Sequence, residues 1–311
     1  MNVRFGLIFF VFLILVGVMG AGMCNAAPSD GDRFFYKGDG RIEIVNIHNG
    51  ARADVTIRNE DGSVNQDALA AIDQVFGFSN EEKGEHISLR LINMLDYFSD
   101  KAAPGKVVHL NSGYRSPQHN EKLKRAGGNV ASTSTHLDGM ALDFYIEGVP
   151  GKKLWEMVRK EDCCGVGHYG GVSIHLDAGK PRFWEAATSK VRTGESDYNR
   201  RIYLSTEYDR YSAGEKVRLS LSSISQFGFG IKPQVTVLKQ DGADGAGVPA
   251  GIHNEGQCIP MTDRKAARLI YATLPADLKP GKYRIRMEFC DVPFPQMPAQ
   301  ALSNAIEVVP K

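Results

Sequence analysis

The sequence predicts an α+β domain followed by an all-β domain, a β-sandwich of the immunoglobulin-like type. Three observations lead to this prediction. Residues 41–184 mix segments of helical periodicity with short extended segments, whereas residues 202–311 contain short extended segments separated by turns rich in Gly and Pro. The segment between them, residues 185–201, is polar and charged. A chain of 311 residues is long enough for two domains that each bury a core.

Helical periodicity in the first domain predicts three helices. Apolar side chains recur at helical spacing in three segments: residues 65–76, 79–98 and 152–161. Ser79, followed three residues later by Glu82, resembles a capping box and predicts the start of the second helix. Short extended segments are predicted between and after the helices: residues 107–110, 140–146 and 172–176. Mixed elements of this kind are typical of an α+β domain.

The second domain is predicted to contain short strands and no helix. The clearest extended segments are residues 217–221, 234–238, 268–274, 282–289 and 305–309. Turn residues such as Pro280 and Gly281 separate them. Regular short strands with such turns favour a sandwich of two sheets. No cluster of reactive side chains appears in this part of the sequence.

The first 27 residues predict a secretory signal peptide. Arg4 precedes a run without charged residues from 5 to 23, and small residues follow at Ala26 and Ala27. The run approaches the ~20 residues needed to span a bilayer, so an uncleaved membrane anchor is the alternative. Both interpretations predict an exported protein of the periplasm or cell envelope, with no membrane span after the signal. The sequence then divides into a catalytic domain, a linker and a β domain: residues 28–190, 191–201 and 202–311.

Export implies an oxidising compartment in which cysteines can pair. Four cysteines follow the signal: Cys163, Cys164, Cys258 and Cys290. Four cysteines allow three connectivities, and the sequence does not choose among them. A bridge between Cys258 and Cys290 is the least strained expectation, because adjacent cysteines pair only with unusual backbone geometry.

Charge and composition exclude two classes of protein. The chain has 37 basic and 36 acidic residues, a formal net charge of +1. Nucleic-acid binding is not expected, because it requires a surplus of Lys and Arg to displace counterions from phosphates. A composition of 42% hydrophobic and 23% charged residues also excludes a disordered chain.

Reactive side chains concentrate in three segments of the first domain: residues 112–120, 134–144 and 165–179. His136 and Asp143 lie seven residues apart, with Gly139 between them to let the chain turn into the strand that carries Asp143. Alternation along a second strand places His175 and Asp177 on one face. Two imidazoles and a carboxylate that converge from two strands suit Zn²⁺, whose catalytic sites use three protein ligands and leave a fourth position to water. Such an ion lowers the pKa of bound water and polarises a carbonyl, as peptide hydrolysis requires.

The order of these motifs resembles that of a known family. SGYRS, then SxHxxGxAxD, then GVGxY followed by HxD is similar to the bacterial D-Ala-D-Ala metallopeptidases and their periplasmic murein endopeptidase relatives. Their fold superfamily also contains lysostaphin-type enzymes and the hedgehog domain. The resemblance covers about residues 41–184, and residues 46–50 (NIHNG) are similar to the start of the murein branch. It implies a zinc-peptidase fold with one Zn²⁺ and peptidoglycan peptides as the substrate, and says nothing about the β domain.

The resemblance also implies roles for the matching residues. His136, Asp143 and His175 correspond to the zinc ligands. Arg115, in SGYRS, corresponds to an arginine that binds the substrate carbonyl or stabilises the oxyanion, a use suited to a fixed guanidinium. Ser134 corresponds to a serine that is expected to bind the substrate backbone.

The motifs do not assign the general base. Several family members carry an acid or a histidine just before the last histidine ligand, where this chain has Val172 and Ser173. The nearest carboxylate is Asp177, which can either activate water or orient His175, and both roles remain open. His168 is a further catalytic candidate, for proton transfer or for oxyanion stabilisation.

The leading hypothesis is therefore a zinc-dependent peptidoglycan peptidase, with an endopeptidase favoured over a carboxypeptidase. A catalytically silent cell-wall-binding protein with the same fold is the alternative, since a fold does not dictate a function. In a third hypothesis the β domain carries the main function by binding glycan, a partner or another copy. The sequence does not indicate the partner of the β domain.

Overall fold

The computed structural model describes residues 30–79, 85–127, 130–189, 197–240, 247–252 and 257–310. The predicted signal peptide, Glu82 of the predicted capping box and residues 191–196 of the predicted linker lie outside the described residues. Within the described part of the chain, no helix has both the length and the apolar character needed to cross a membrane.

The first domain is built on a mixed seven-stranded sheet. Its strands are β1 (Arg41–Asn46), β2 (Arg52–Thr56), β3 (Val108–Ser112), β4 (Ala141–Ile146), β5 (Gly165–His168), β6 (Ile174–Asp177) and β7 (Arg182–Glu185). Their spatial order is β2-β1-β3-β4-β6-β5-β7. The pairs β1–β3 and β5–β7 are parallel, and the other pairs are antiparallel. The strands β4 and β6, which carry two of the predicted ligands, are therefore neighbours inside the sheet.

Among the described residues, four helices and two 3₁₀ turns complete this domain. They are α1 (Gln66–Phe76), α2 (Leu89–Ala102), α3 (Pro117–Arg125), α4 (Gly151–Glu161), η1 (Asp30–Arg33) and η2 (Thr135–Asp138). The apolar faces of α1, α2 and α4 share one hydrophobic core with the sheet. Alternation along β4 places Leu142 and Phe144 in this core, which leaves Asp143 on the other face. The helices predicted at residues 65–76 and 152–161 are confirmed.

Helix α2 begins later than the sequence predicts. The prediction starts at residue 79, whereas the helix starts at Leu89, after Ser88 as its cap. Residues 85–88, directly before the helix, are not helical, and Ile87 donates its backbone N–H to Asp73 Oδ1 at 2.9 Å. Helix α3 was not predicted, although Ser116 and Pro117 are ordinary start signals.

The second domain consists of two sheets around one hydrophobic core, and the all-β prediction is confirmed. Its strands are β8 (Tyr203–Thr206), β9 (Arg210–Ser212), β10 (Lys216–Ser222), β11 (Phe229–Lys239), β12 (Val248–Gly251), β13 (Ile259–Met261), β14 (Ile270–Thr273), β15 (Gly281–Asp291), β16 (Gln300–Leu302) and β17 (Ile306–Val309). One sheet has the order β14-β10-β8 and the other β12-β11-β15-β17-β9, with β13 on β11 and β16 on β15.

The prediction of no helix in the second domain is wrong. A short helix, α5 (Arg264–Arg268), precedes β14. Asp263 caps it by accepting the backbone N–H of Ala266 at 2.8 Å. The strand predicted from residue 268 therefore begins only at Ile270.

The disulfide expected from the sequence is present. Cys258 and Cys290 are bonded, with 5.9 Å between their Cα atoms. Cys163 and Cys164 are free, and their sulfur atoms lie 2.6 Å apart. The structure thus contains this one bridge, between two cysteines of the second domain.

Buried charged pairs join the two domains. Arg90 Nε donates to Asp209 Oδ1 at 2.9 Å, and both side chains are buried. Glu85 accepts from Arg218 Nη1 at 3.0 Å and forms an ion pair with Arg268 at the same distance. Removing one partner of such a pair leaves an uncompensated buried charge, so these contacts couple the domains strongly.

Candidate metal centre

The three predicted ligands converge on the sheet face opposite the hydrophobic core. His136 lies in η2, Asp143 on β4 and His175 on β6. Asp143 and His175 are direct partners in the antiparallel register, so their side chains share a face. Gly139 ends η2 with a φ of 60°, a left-handed conformation that glycine adopts without strain. The chain turns there into β4, as the sequence predicted.

The distances between the ligand atoms suit a tetrahedral ion. Asp143 Oδ1 lies 2.9 Å from His175 Nδ1 and 3.2 Å from His136 Nε2. The two nitrogens are 3.3 Å apart. Ligands at ~2.0–2.1 Å from a tetrahedral Zn²⁺ are separated by roughly 3.3 Å. The three atoms can therefore occupy three corners of a tetrahedron and leave the fourth open.

In each histidine, the ring nitrogen that is not a predicted ligand forms a hydrogen bond, and this bond determines which nitrogen carries the proton. His136 Nδ1 lies 2.7 Å from the carbonyl oxygen of Gly113, which can only accept, so Nδ1 carries the proton. His175 Nε2 donates to Asp177 Oδ2 at 2.7 Å. In the neutral rings, the lone pairs of both facing nitrogens then point toward the Asp143 carboxylate. Three converging lone-pair donors repel one another unless a cation lies between them, so the donor set suits a metal ion.

Burial and charge shape the pKa values of the three ligands. Burial lowers the pKa of His136 and outweighs the attraction of Asp143. Burial raises the pKa of Asp143, but the charge of His136 and the hydrogen bonds from both histidines, when their rings are protonated, outweigh it and hold this pKa well below its usual value. Burial lowers the pKa of His175, but its hydrogen bonds to Asp143 and Asp177 raise it overall. A proton and a metal ion therefore compete for His175 Nδ1.

Asp177 is fully buried, and protein groups contact both of its oxygens. Its Oδ2 accepts from His175 and, at 2.6 Å, from Arg182 Nη2. Its Oδ1 accepts from Arg182 Nη1 at 3.0 Å and from the backbone N–H of Gly179 at 2.9 Å. Burial raises the pKa of Asp177, but Arg182 and His175 outweigh it and lower the pKa. The Asp177 carboxylate is therefore ionised, and protein donors form hydrogen bonds with both of its oxygens.

Two glycines of the GVG motif make room for a second layer beside the ligands. Gly165 and Gly167 lie on the ligand face of β5. A Cβ at Gly165 would overlap the guanidinium of Arg182, and a Cβ at Gly167 would overlap the ring of Trp184. The Trp184 ring lies 5.0 Å from the ring of His175. Arg182 and Trp184 were not predicted from the sequence, although their alternate positions on β7 and the spacing of the two glycines are the signals that point to them.

Arg115 and Tyr169 both contact the ligand carboxylate. Arg115 Nη2 donates to Asp143 Oδ2 at 2.6 Å, and its Nε donates to Ser112 Oγ at 3.0 Å. The Tyr169 hydroxyl donates to Asp143 Oδ1 at 2.9 Å, while its ring is partly exposed. Burial, together with the charge of Asp143, raises the pKa of Tyr169. No role was predicted for Tyr169, although it is the tyrosine of GVGxY.

The structure does not bring His168 to the metal centre. His168 pairs with Ile174 in the sheet, whereas His175 pairs with Gly167, so His168 and His175 lie on opposite faces. The His168 Nδ1 atom lies 3.7 Å from Glu185 Oε2 instead. This geometry gives no support to catalysis by His168.

Ser134 lies immediately before η2, two residues from His136. Its side chain is half-buried and makes no capping hydrogen bond to the turn. Its carbonyl oxygen accepts the backbone N–H of Leu137 at 3.0 Å. The hydroxyl therefore has no role in shaping η2.

Comparisons with known proteins match the first domain. A family model described as peptidoglycan L,D-endopeptidase MepK matches residues 37–184. The peptidoglycan L,D-endopeptidase MepK of Escherichia coli K12 is 30% identical over 144 residues, which are 46% of this chain and 79% of that protein. The probable peptidoglycan L,D-endopeptidase MepK of Haemophilus influenzae is 39% identical over 79 residues, 25% of this chain and 42% of that protein. No solved structure matches the chain.

The matched residues include the whole cluster around Asp143 and end before the second domain. The order of motifs, the geometry of the ligands and the similarity over most of a curated relative agree with one another. The chain therefore belongs to the MepK family of peptidoglycan peptidases, within the D-Ala-D-Ala metallopeptidase-like group that its motifs resemble.

Proposed function

We propose that the protein is a zinc-dependent endopeptidase that hydrolyses L,D amide bonds in the cross-links of peptidoglycan. The observation that carries this proposal is the set of three ligand atoms from His136, Asp143 and His175, which lie 2.9 to 3.3 Å apart. The relatives are named L,D-endopeptidases, which supports the class of bond.

The donor set favours zinc over the common hard cations. Ca²⁺ and Mg²⁺ bind mainly oxygen ligands with six or more positions, whereas two imidazole nitrogens and one carboxylate oxygen are typical of Zn²⁺. When bound, the ion supplies acidified water and a polarised carbonyl.

Arg115 is the residue that we propose to bind the substrate carbonyl oxygen. Its Nη2 and Nε hold Asp143 and Ser112, and Nη1 has no hydrogen-bond partner among the described residues. The remaining N–H groups can therefore stabilise negative charge that develops on the oxygen. The free hydroxyl of Ser134 is proposed to bind the peptide backbone of the substrate.

Asp177 is proposed to orient His175 rather than to activate water. The sequence left both roles open. Full burial and the contacts with Arg182, His175 and Gly179 support the orienting role, because protein donors already occupy both carboxylate oxygens. A carboxylate of this kind fixes the ring and its tautomer.

The second domain and the location of the protein complete the proposal. Two sheets around one core, antiparallel except for the parallel pair β17–β9, support an immunoglobulin-like sandwich at residues 202–311, after a linker at 191–201 and the peptidase domain at 28–190. The predicted signal at residues 1–27 supports export to the periplasm or envelope, where peptidoglycan lies.

Digestion of purified sacculi tests the function. The protein is incubated with sacculi, with and without a chelator, and the released muropeptides are identified by mass spectrometry. We expect L,D-cross-linked dimers to become monomers, the chelator to stop the reaction and Zn²⁺ to restore it. The variant His136→Ala should be inactive, whereas His119→Ala, at an exposed position of α3, should retain activity.

Full activity in the presence of the chelator would contradict the zinc mechanism. Tight binding to sacculi without any turnover would instead support the catalytically silent cell-wall-binding protein.

A further inference from the structure

Asp138 belongs to the turn that carries a metal ligand, yet it contacts the other domain. It lies two residues after His136, at the end of η2, and only 1% of its surface is exposed. Its Oδ1 accepts from the guanidinium of Arg264, and its Oδ2 accepts the backbone N–H of Ser223 at 3.0 Å. Both oxygens of a buried carboxylate in the peptidase domain are therefore held by the β domain.

Contacts within the β domain also hold the side chain of Arg264. Arg264 is the first residue of α5, which Asp263 caps. Its Nη2 donates to the carbonyl oxygen of Ile224 at 3.4 Å, and its guanidinium lies over the ring of Phe227, 5.6 Å from the centroid. The charged group is thus oriented by contacts within its own domain.

The turn η2 is short, and contacts from both domains hold it in place. It has four residues, and no side chain caps its start. A single turn of 3₁₀ helix has few internal hydrogen bonds. From the first domain, Gly139 O accepts the backbone N–H of Ser88 at 3.0 Å, and His136 O accepts that of Arg115 at 3.2 Å. The charged contact with Asp138 comes from the second domain.

We infer that the β domain positions the metal-bearing turn η2, with Arg264 as a positioning residue that acts through Asp138 on His136. This inference rests on the proposed function, because a fixed turn matters for a metal ligand that must be placed within about 0.5 Å. Arg264 lies outside residues 37–184, the part matched by the family model. The β domain then completes the peptidase site and is more than a spacer.

A purely stabilising contact is the competing explanation, since other charged pairs also join the domains. Arg218 provides the control, because it pairs with Glu85 and Glu207, and no hydrogen bond or ion pair joins it to η2 in the described part of the chain. Lys265, the exposed neighbour of Arg264 on α5, provides a surface control. Arg264→Lys tests whether the charge alone rescues the effect.

The experiment uses the full chain with two readouts. Hydrogen–deuterium exchange of the metal-free protein reports the mobility of residues 134–140, and competition with a chromogenic chelator reports zinc affinity. We expect Arg264→Gln to speed exchange in this segment and to weaken zinc binding by about 10-fold or more, as for other groups that support metal ligands. Arg264→Lys should recover part of the affinity, and Lys265→Gln should match the wild type. Arg218→Gln should lower the unfolding temperature without changing either readout.

Asp138→Asn removes the charge on the other side of the same contact and completes a double-mutant cycle with Arg264→Gln. It also serves as the test variant if Arg264→Gln does not fold. It should show the same two effects, and the double variant should be no worse than the more affected single variant. Wild-type exchange in residues 134–140 of Arg264→Gln would overturn the inference, as would equal losses of zinc affinity in Arg264→Gln and Arg218→Gln. A wild type that binds no zinc would sink the proposed function, and the exchange measurement would then decide the positioning by itself.

Discussion

The two domains use buried charge in different ways. The first domain brings together one cluster of buried polar side chains on a sheet face, where His136, Asp143 and His175 converge. In the second domain, Asp209 and Arg268 are buried where they pair with residues of the first. A metal centre therefore leaves a compact motif in one part of the sequence, whereas a domain interface leaves complementary charges at distant positions. The peptidase motif is visible in the sequence for this reason, and the contribution of the β domain is not.

Breaking the interface should have the largest effect on stability. Arg90→Met removes the partner of the buried Asp209, so we expect it to destabilise the protein by about 3–5 kcal/mol. Arg41→Met, which removes an exposed pair with Asp54, should cost less than about 1 kcal/mol. Urea unfolding of the full chain measures both. Similar midpoints for the two variants would show that the domains are coupled only weakly.

Substitutions of Asp177 and Arg182, which support His175, should have a smaller effect that is confined to the site. Asp177→Asn weakens the contacts that orient His175, so we expect zinc affinity and kcat/KM to fall together by about 10–100-fold. Arg182→Gln should produce a smaller loss in the same direction. Zinc binding by competition and turnover on muropeptides are the measurements. A large loss of kcat with wild-type zinc affinity would show instead that Asp177 is the general base.

A buried carboxylate of the first domain outside the metal centre should give the smallest effect. Asp96 is fully buried, and burial together with the charge of Asp100 raises its pKa from 3.8 to about 7. Between these two values the folded state binds more protons than the unfolded state, so stability falls as pH rises through this window. Asp96→Asn should flatten that dependence, so the variant should gain stability relative to the wild type as the pH rises from 4 to 8. Urea unfolding from pH 4 to 8 tests this, and parallel curves for the two proteins would contradict it.

The sequence predicted those features that depend on local spacing. The helix at residues 65–76 followed from periodicity. Alternation along each strand predicted which side chains share a face, and the resemblance to the metallopeptidase family implied His136, Asp143 and His175 as the ligands. The structure places these strands side by side.

Features that depend on register or on distant residues could not be predicted in this way. His168 lies in a motif with the ligands, but its register partner Ile174 places it on the opposite face, and a shift of one residue would reverse that face. Ile87, just before α2, donates its backbone N–H to Asp73, and Asp138 pairs with Arg264, 126 residues away. No local signal reports such partners.

The central claim is that His136, Asp143 and His175 bind one zinc ion. Titration of Zn²⁺ into the metal-free full chain, followed by competition with a chromogenic chelator, tests it most directly. We predict one tightly bound ion per chain in the wild type and loss of this binding in His175→Ala, with no loss in His119→Ala. The absence of tight binding in the wild type, or one tightly bound ion in His175→Ala, would contradict the account.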